Sequence, residues 1–231
     1  MNDPSSETLS EVLARHHFSF APEIVERLAR FCHALWQWNE KINLTRHLDY
    51  ERFVSRDVMD SWQLVQLLQD GEVVLDVGSG GGVPGLVMAI LRPDLSFSVC
   101  ESVGKKARVL EDLVRQLDLS VPVYPERAEA VLERHRFTTL TARAVGSIRK
   151  MCQSLDGHWS EFERLLLVKG PGWVDERGEA RHFGLLQNLE LRKLASYPMP
   201  GTESDSVILQ LRPKEQGASV DSSDEAGQDR E

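Results

Sequence analysis

Hydrophobic positions change their period once along the chain, and the change divides it. From Pro22 onward the sequence PEIVERLARFCHALWQWNEK places Ile24, Leu28, Phe31 and Leu35 on one helical face. That is the 3.6-residue spacing of an amphipathic α-helix. Pro22 suits a helix start, where its missing N–H costs nothing. A second helical pattern runs from about Tyr50 to Leu68, with Val54, Val58, Trp62, Val65 and Leu68 on one side. Past Asp70-Gly71, short β-rich runs alternate with helical ones. VVLDV (73–77) precedes PGLVMAILRP, SFSVCE (96–101) precedes KKARVLEDLVRQLDL, and VPVYPE (121–126) precedes AEAVLERH. FTTLTARA (137–144) and RLLLVKG (164–170) follow. Strands alternating with helices predict right-handed βαβ units and a parallel sheet. The last two runs, LELRKLASYP (189–198) and SVILQLRP (206–213), are separated only by MPGTESD, which predicts an antiparallel hairpin.

The pattern therefore predicts an α/β, Rossmann-like fold: a mainly parallel seven-stranded sheet with antiparallel C-terminal strands, preceded by an N-terminal helical element. Residues 1–21 are expected to be a weakly ordered lead-in, 22–70 the helical element and 71–213 the ligand-binding domain. Residues 214–231 are expected to be an acidic, disordered tail, being polar and nearly free of large apolar side chains.

Charge complicates any nucleic-acid role. The chain carries 27 Lys and Arg against 36 Asp and Glu, a net charge of −9. The segment 213–231 holds six of the acids and two of the bases, so the rest still carries −5. A broad basic footprint is thus excluded, and RNA binding has to rest on local cation clusters. The N-terminus has neither a basic region nor an apolar core, so no secretory signal is expected, and no apolar run approaches the roughly 20 residues of a membrane span. Cys32, Cys100 and Cys152 lie far apart without CxxC spacing, so buried thiols are expected, with no zinc site and no disulfide.

The strongest local signal runs from Val73 to Gly85: a hydrophobic strand, Asp76 near its end, a glycine cluster, then a helix. Glycines there allow positive φ and close approach of backbone to a ligand, at the sheet edge where open α/β folds bind ligands. Residues 80–85 also satisfy G-x-G-x-x-G, which keeps a dinucleotide oxidoreductase as an alternative, and a non-enzymatic nucleotide-binding regulator as a third. Three features favour S-adenosylmethionine. Asp76 precedes the glycines, where it would repel a pyrophosphate and attract the cationic amino-acid end of a methyl donor. Glu101 ends the next strand, placed to accept ribose hydroxyls. Ala128 and Glu129 follow the third strand, where an adenine is held by an amide and a side chain. No G-K-[ST] follows, which removes a P-loop, and no Tyr-x-x-x-Lys pair supports the oxidoreductase.

At this point the chain resembles a specific family, the bacterial small-subunit rRNA guanine-N7 methyltransferases. Trp38-Asn39-Glu40-Lys41-Ile42-Asn43-Leu44-Thr45 is similar to its N-x-x-x-N-L-T signature. Arg56-Asp57-Val58-Met59-Asp60-Ser61 resembles R-H-x-x-D-S, and 76–85 resembles D-V-G-T-G-x-G-x-P-G. Glu101 to Lys106, Arg127-Ala128-Glu129, Ala142-Arg143-Ala144 and Val168-Lys169-Gly170 follow in the family's order. The resemblance implies a class I methyltransferase fold and methyl transfer to N7 of a guanine in 16S rRNA, on free rRNA or the small ribosomal subunit, in the cytoplasm. Cofactor contacts are implied at Gly78, Gly80, Val83, Ala128, Glu129 and Arg143, beside Asp76 and Glu101. Asn43, Arg127, Arg143 and Lys169 are implied near the active site. One departure stands out: Asp57 replaces the family's usual His.

Guanine N7 offers a lone pair without a proton, so the reaction needs placement rather than a general base. The product is cationic, and Asp60 is the candidate to stabilise that charge, against a role as a bridging acid. Arg143 is expected to grip the cofactor carboxylate or a phosphate, and Lys169, followed by Gly170-Pro171-Gly172, to reach RNA. Arg46, His47, Arg52 and Arg56, with Lys105, Lys106 and Arg108, are the cations expected to meet RNA. Trp36 and Trp38 are expected to pack within their helix rather than stack on bases. A monomer without metal is expected.

Overall fold

A computed structural model of the chain describes residues 7–214. Seven strands form one sheet in the order β3-β2-β1-β4-β5-β7-β6. β1 (Val73–Val77), β2 (Ser96–Cys100), β3 (Val123–Tyr124), β4 (Phe137–Arg143) and β5 (Phe162–Lys169) are parallel. β6 (Leu189–Pro198) and β7 (Asp205–Pro213) form the expected antiparallel hairpin, and β7 inserts beside β5. The strand order reverses between β1 and β4, and at such a switch point the loops leaving the two strands open a crevice.

Helices cover both faces. α5 (Gly85–Leu91) and α6 (Gly104–Gln116) share one core cluster with the N-terminal helices, including Leu28, Phe31, Val58, Leu86 and Leu110. α7 (Ala128–Leu132), α8 (Ile148–Ser154) and α9 (Trp173–His182) cover the other face, around Leu132, Ile148 and Leu165. The helical element is therefore packed into the same core as the sheet. All three cysteines are buried thiols.

The N-terminal region departs from expectation twice. The lead-in contains α1 (Leu9–Arg15), which buries Leu9, Val12 and Leu13. Thr8 and Glu11 close a capping box over its first turn, with Thr8 N donating to Glu11 Oε2 at 2.8 Å. That T-x-x-E signature stands in the sequence and marks the helix. After α2 (Pro22–Asn39), the predicted second helix is not continuous: α3 (Tyr50–Arg52) passes into a π-helical stretch (Phe53–Val58), then α4 (Met59–Val65). Wide π turns of this kind often mark functional sites. Here the stretch carries Arg56 and Asp57. The tail expected at 214–231 lies, except for Lys214, outside the described residues.

Candidate functional site

The glycine loop leaves β1 with Gly78, Gly80 and Gly82 all at positive φ, +67°, +56° and +93°. Gly78 N and Ser79 N both donate to the Cys100 carbonyl, at 2.9 and 3.1 Å, which ties the loop to the end of β2. The next residue, Glu101, is buried, and its carboxylate accepts from Gly80 N at 3.1 Å and Val103 N at 2.8 Å. A cavity of about 100 Å³ opens beside this loop, lined by Gly78, Ser102, Arg127, Ala128, Glu129 and Val145, among others. A Cβ at Gly78 would stand 2.9 Å from the Val145 side chain, so only glycine leaves this wall open. Glu129, on α7, accepts from Ser154 Oγ at 2.5 Å, which fixes it against α8. The expected nucleoside-binding residues Gly78, Ala128 and Glu129 thus line one cavity, and Glu101 stands in the chain between two of its lining residues, Cys100 and Ser102.

Asp76 does something other than expected. It is fully buried, and its carboxylate accepts from Gly85 N at 3.1 Å and Thr141 Oγ1 at 2.9 Å. Burial pushes its carboxyl up to about 6, against the hydrogen bonds that favour the anion. Its carboxyl group therefore links β1 to β4 and to the start of α5. Val83 likewise packs toward the core under the N-terminal helices and lines neither cavity beside the loop.

A second, larger cavity of about 790 Å³ is lined in part by the end of β4 and the loop that leaves it. Its lining includes Arg46, His47, Arg52, Arg56, Asp60 and Arg143, closed by Ala144 and by Met199 to Gly201 of the β6–β7 turn. Arg46 and Arg56 make no ion pair among the described residues. Glu51, the other acid in the lining, is paired with Arg15 at 2.8 Å and His16 at 2.7 Å. The four expected N-terminal cations are thus brought together at one concave surface, which composition alone did not show.

Arg143 forms the floor of this cavity and is not free to grip a cofactor carboxylate. Its Nη2 lies 2.8 Å from Asp57 and its Nη1 3.0 Å from Asp60. Burial opposes the guanidinium charge, but the two carboxylates outweigh it and hold its pKa above the ordinary value. Asp60 also accepts from Tyr197 Oη at 2.7 Å, joining α4, β4 and β6. Burial raises the Asp60 carboxyl, with Arg143 opposing. Both Asp60 oxygens are engaged, so it bridges elements instead of waiting for a cationic base. Asp57, only 1% exposed, accepts from His47 Nδ1 at 2.9 Å as well. It is turned into the protein and presents no anion to phosphate.

The other expected residues divide. Lys169, at the end of β5, is tied to the Gly146 carbonyl and lies 2.8 Å from Glu176 of α9. It braces the loop after β4 and does not reach outward. Arg127 is exposed at the rim of the small cavity. Asn43 is exposed, while its neighbour in the motif, Asn39, accepts from Leu44 N at 2.7 Å and Thr45 N at 2.9 Å. That turn sets Leu44 against the glycine loop, where a Cβ on Gly81 would meet Leu44 Cβ at 3.4 Å. Trp36 and Trp38 pack as expected, donating to the His47 carbonyl and to Asp112. Sequence reasoning reaches this network only in part, offering Asp60 as a bridging acid without joining it to Asp57, Arg143 and Tyr197. Among the described residues no cluster of three or more His, Cys, Asp or Glu is placed to hold a metal ion, and no helix is long and apolar enough to cross a membrane.

Comparison with known proteins agrees with this architecture. A methyltransferase from Pyrococcus furiosus shares the fold with a TM-score of 0.55 at 12% identity, covering 82% of this chain and 99% of that one. M. capricolum TrmK, solved with the cofactor product S-adenosyl-homocysteine, gives 0.51 at 10% identity over 67% of each chain. In sequence, the chain is 54% identical over 197 residues to the ribosomal RNA small subunit methyltransferase G of Rhodopirellula baltica, covering 85% of this chain and 83% of that protein. The protein of the same name from Chromobacterium violaceum is 39% identical over 88% of this chain and 95% of its own. Residues 24–197 match the family described as rRNA small subunit methyltransferase G. The chain belongs to the rRNA small subunit methyltransferase G family.

Proposed function

We propose that this chain transfers the methyl group of S-adenosylmethionine to N7 of a guanine in 16S rRNA of the small ribosomal subunit, acting as a cytoplasmic monomer. The observation that carries the proposal is that two unlike cavities share one short stretch, 143–145. Arg143 and Ala144 line the cation-rich cavity, and Val145 lines the small cavity beside the glycine loop. A group held at the glycine loop and an RNA chain can therefore meet at this stretch.

The residues of the small cavity fit the donor. Gly78 leaves room for close approach, Ala128 and Glu129 flank a nucleobase-sized space, and the backbone-held Glu101 carboxylate keeps lone pairs for ribose hydroxyls. Bound there, S-adenosylmethionine supplies an electrophilic methyl group on a sulfonium. Everything else falls to the protein as positioning. Arg46, Arg52 and Arg56 meet phosphate, while Lys169 and the Arg143 network keep the dividing loop in place. Guanine N7 is unprotonated, so no side chain has to remove a proton. Alignment of the reacting atoms is the whole task, worth about 7–11 kcal/mol in the most favourable intramolecular cases.

Calorimetric titration of the purified protein with S-adenosylmethionine and with NAD separates this reading from the dinucleotide alternative. Saturable binding of the methyl donor alone is expected, followed by transfer of its labelled methyl group to 16S rRNA. Binding of NAD in its place would contradict the proposal.

A further inference from the structure

The chain carries Asp57 where the family motif usually has His, and the imidazole of His47, ten residues upstream, stands 2.9 Å from it. We propose that His47 contacts the substrate, hydrogen-bonding a phosphate oxygen of the bound RNA through Nε2, with Asp57 as its positioning residue. The inference rests on the RNA reading above and deepens it.

Three sets of contacts fix the ring. His47 Nδ1 lies 3.0 and 2.9 Å from the two Asp57 oxygens. Asp57 is also 2.8 Å from Arg143, and a carboxylate only accepts, so Nδ1 is the donor. The backbone is held from both sides: His47 N donates to Thr45 Oγ1 at 3.0 Å, and the His47 carbonyl accepts from Trp36 Nε1 at 2.8 Å. Nε2 has no hydrogen-bond partner among the described residues, and His47 lines the large cavity.

Charge selects the ligand. The network beneath the cavity holds two buried carboxylates, Asp57 and Asp60, against one guanidinium, Arg143. His47 faces these two anions through Nδ1 and turns Nε2 to the cavity. Around it stand Arg46, Arg52 and Arg56, and Arg15 and His16 offset Glu51. A cation-lined surface with an oriented imidazole nitrogen takes an anionic oxygen, and RNA presents one at every phosphate.

The test measures binding of a 16S rRNA fragment across a salt series, with calorimetry of S-adenosylmethionine alongside. His47→Ala leaves Asp57 paired with Arg143, so the fold should hold. We expect rRNA affinity to fall about tenfold, as for loss of a hydrogen bond to a charged group. The salt slope should become shallower by about 0.7, with methyl-donor affinity unchanged. His47→Gln should lose the slope in the same way. Asp57→Asn should weaken rRNA binding in the wild-type background and add nothing on top of His47→Ala; a merely structural role would add in both. Unchanged rRNA affinity and slope in His47→Ala would overturn the assignment alone. Failure of the wild-type chain to bind rRNA would overturn both the assignment and the reading beneath it.

Discussion

The two cavities that meet at residues 143–145 are built from different materials. The small one is opened by backbone: Gly78 at positive φ in its wall, loop amides holding Glu101 beside it, and the first turn of α7. The large one is made of side chains, with arginines above and a buried network of Arg143, Asp57, Asp60 and Tyr197 below. A backbone cradle needs little correction once the strands are paired, because its groups cannot rotate away. A side-chain cavity holds its shape only if each long chain is paired or packed. Here the pairing is done by charges that are expensive to bury and more expensive to strand.

Removing Arg143 tests that difference most severely. Arg143→Ala leaves the Asp57 and Asp60 carboxylates buried without their cation, and should lower unfolding free energy by about 3–5 kcal/mol. Denaturant titration measures this; a loss below about 1 kcal/mol would mean the network contributes no more than a surface pair.

On the backbone side, the buried charge is Asp76. Its folded pKa of about 6 lies above the ordinary value of 3.8, so the folded state holds that proton more tightly than the unfolded chain. The stability it contributes is full below pH 3.8 and is lost as pH rises through about 6. Asp76→Asn should remove that dependence, by at most about 3 kcal/mol. Wild type should therefore lose stability relative to the variant between pH 5 and pH 7.5, and a pH-independent difference would show that Asp76 is not held this way.

Gly78→Ala should separate the two cavities by function. Its φ of +67° and the 2.9 Å approach to Val145 oppose a side chain, at a cost of about 1–2 kcal/mol. Methyl-donor affinity should drop about tenfold while rRNA affinity stays within error. Equal losses on both would erase the division proposed at 143–145.

The smallest expected effect comes from the opposite wall. Arg46→Ala and Arg56→Ala should each flatten the salt dependence of rRNA binding by about 0.7, leaving methyl-donor affinity and thermal stability alone. A fall in donor affinity in either variant would contradict their place on the RNA side.

The same contrast explains what the sequence disclosed. Alternating runs from Val73 onward displayed the sheet, and the glycine loop was legible because its signal is contiguous and its glycines have one use. Cations at 46, 47, 52 and 56 were visible as a cluster because they also lie close in sequence. Arg143 was visible only as a charge at a strand end, since its partner Asp60 stands 83 residues away. Lys169 looked free because the glycines after it suggest an open loop, whereas Glu176 and Gly146 close on it from α9 and the β4 loop. Asp76 looked ligand-facing because a linear motif does not show Gly85 and Thr141 folding over it.

On this account the cation-lined cavity presents rRNA to a methyl donor held at the glycine loop. This is tested most directly by identifying the modified nucleoside. Small subunits and free 16S rRNA from cells lacking this protein would be incubated with it and S-adenosylmethionine, digested, and analysed by mass spectrometry. The expected product is a single 7-methylguanosine at one site, absent without enzyme; methylation of another base or position, or none on either substrate, would contradict the claim.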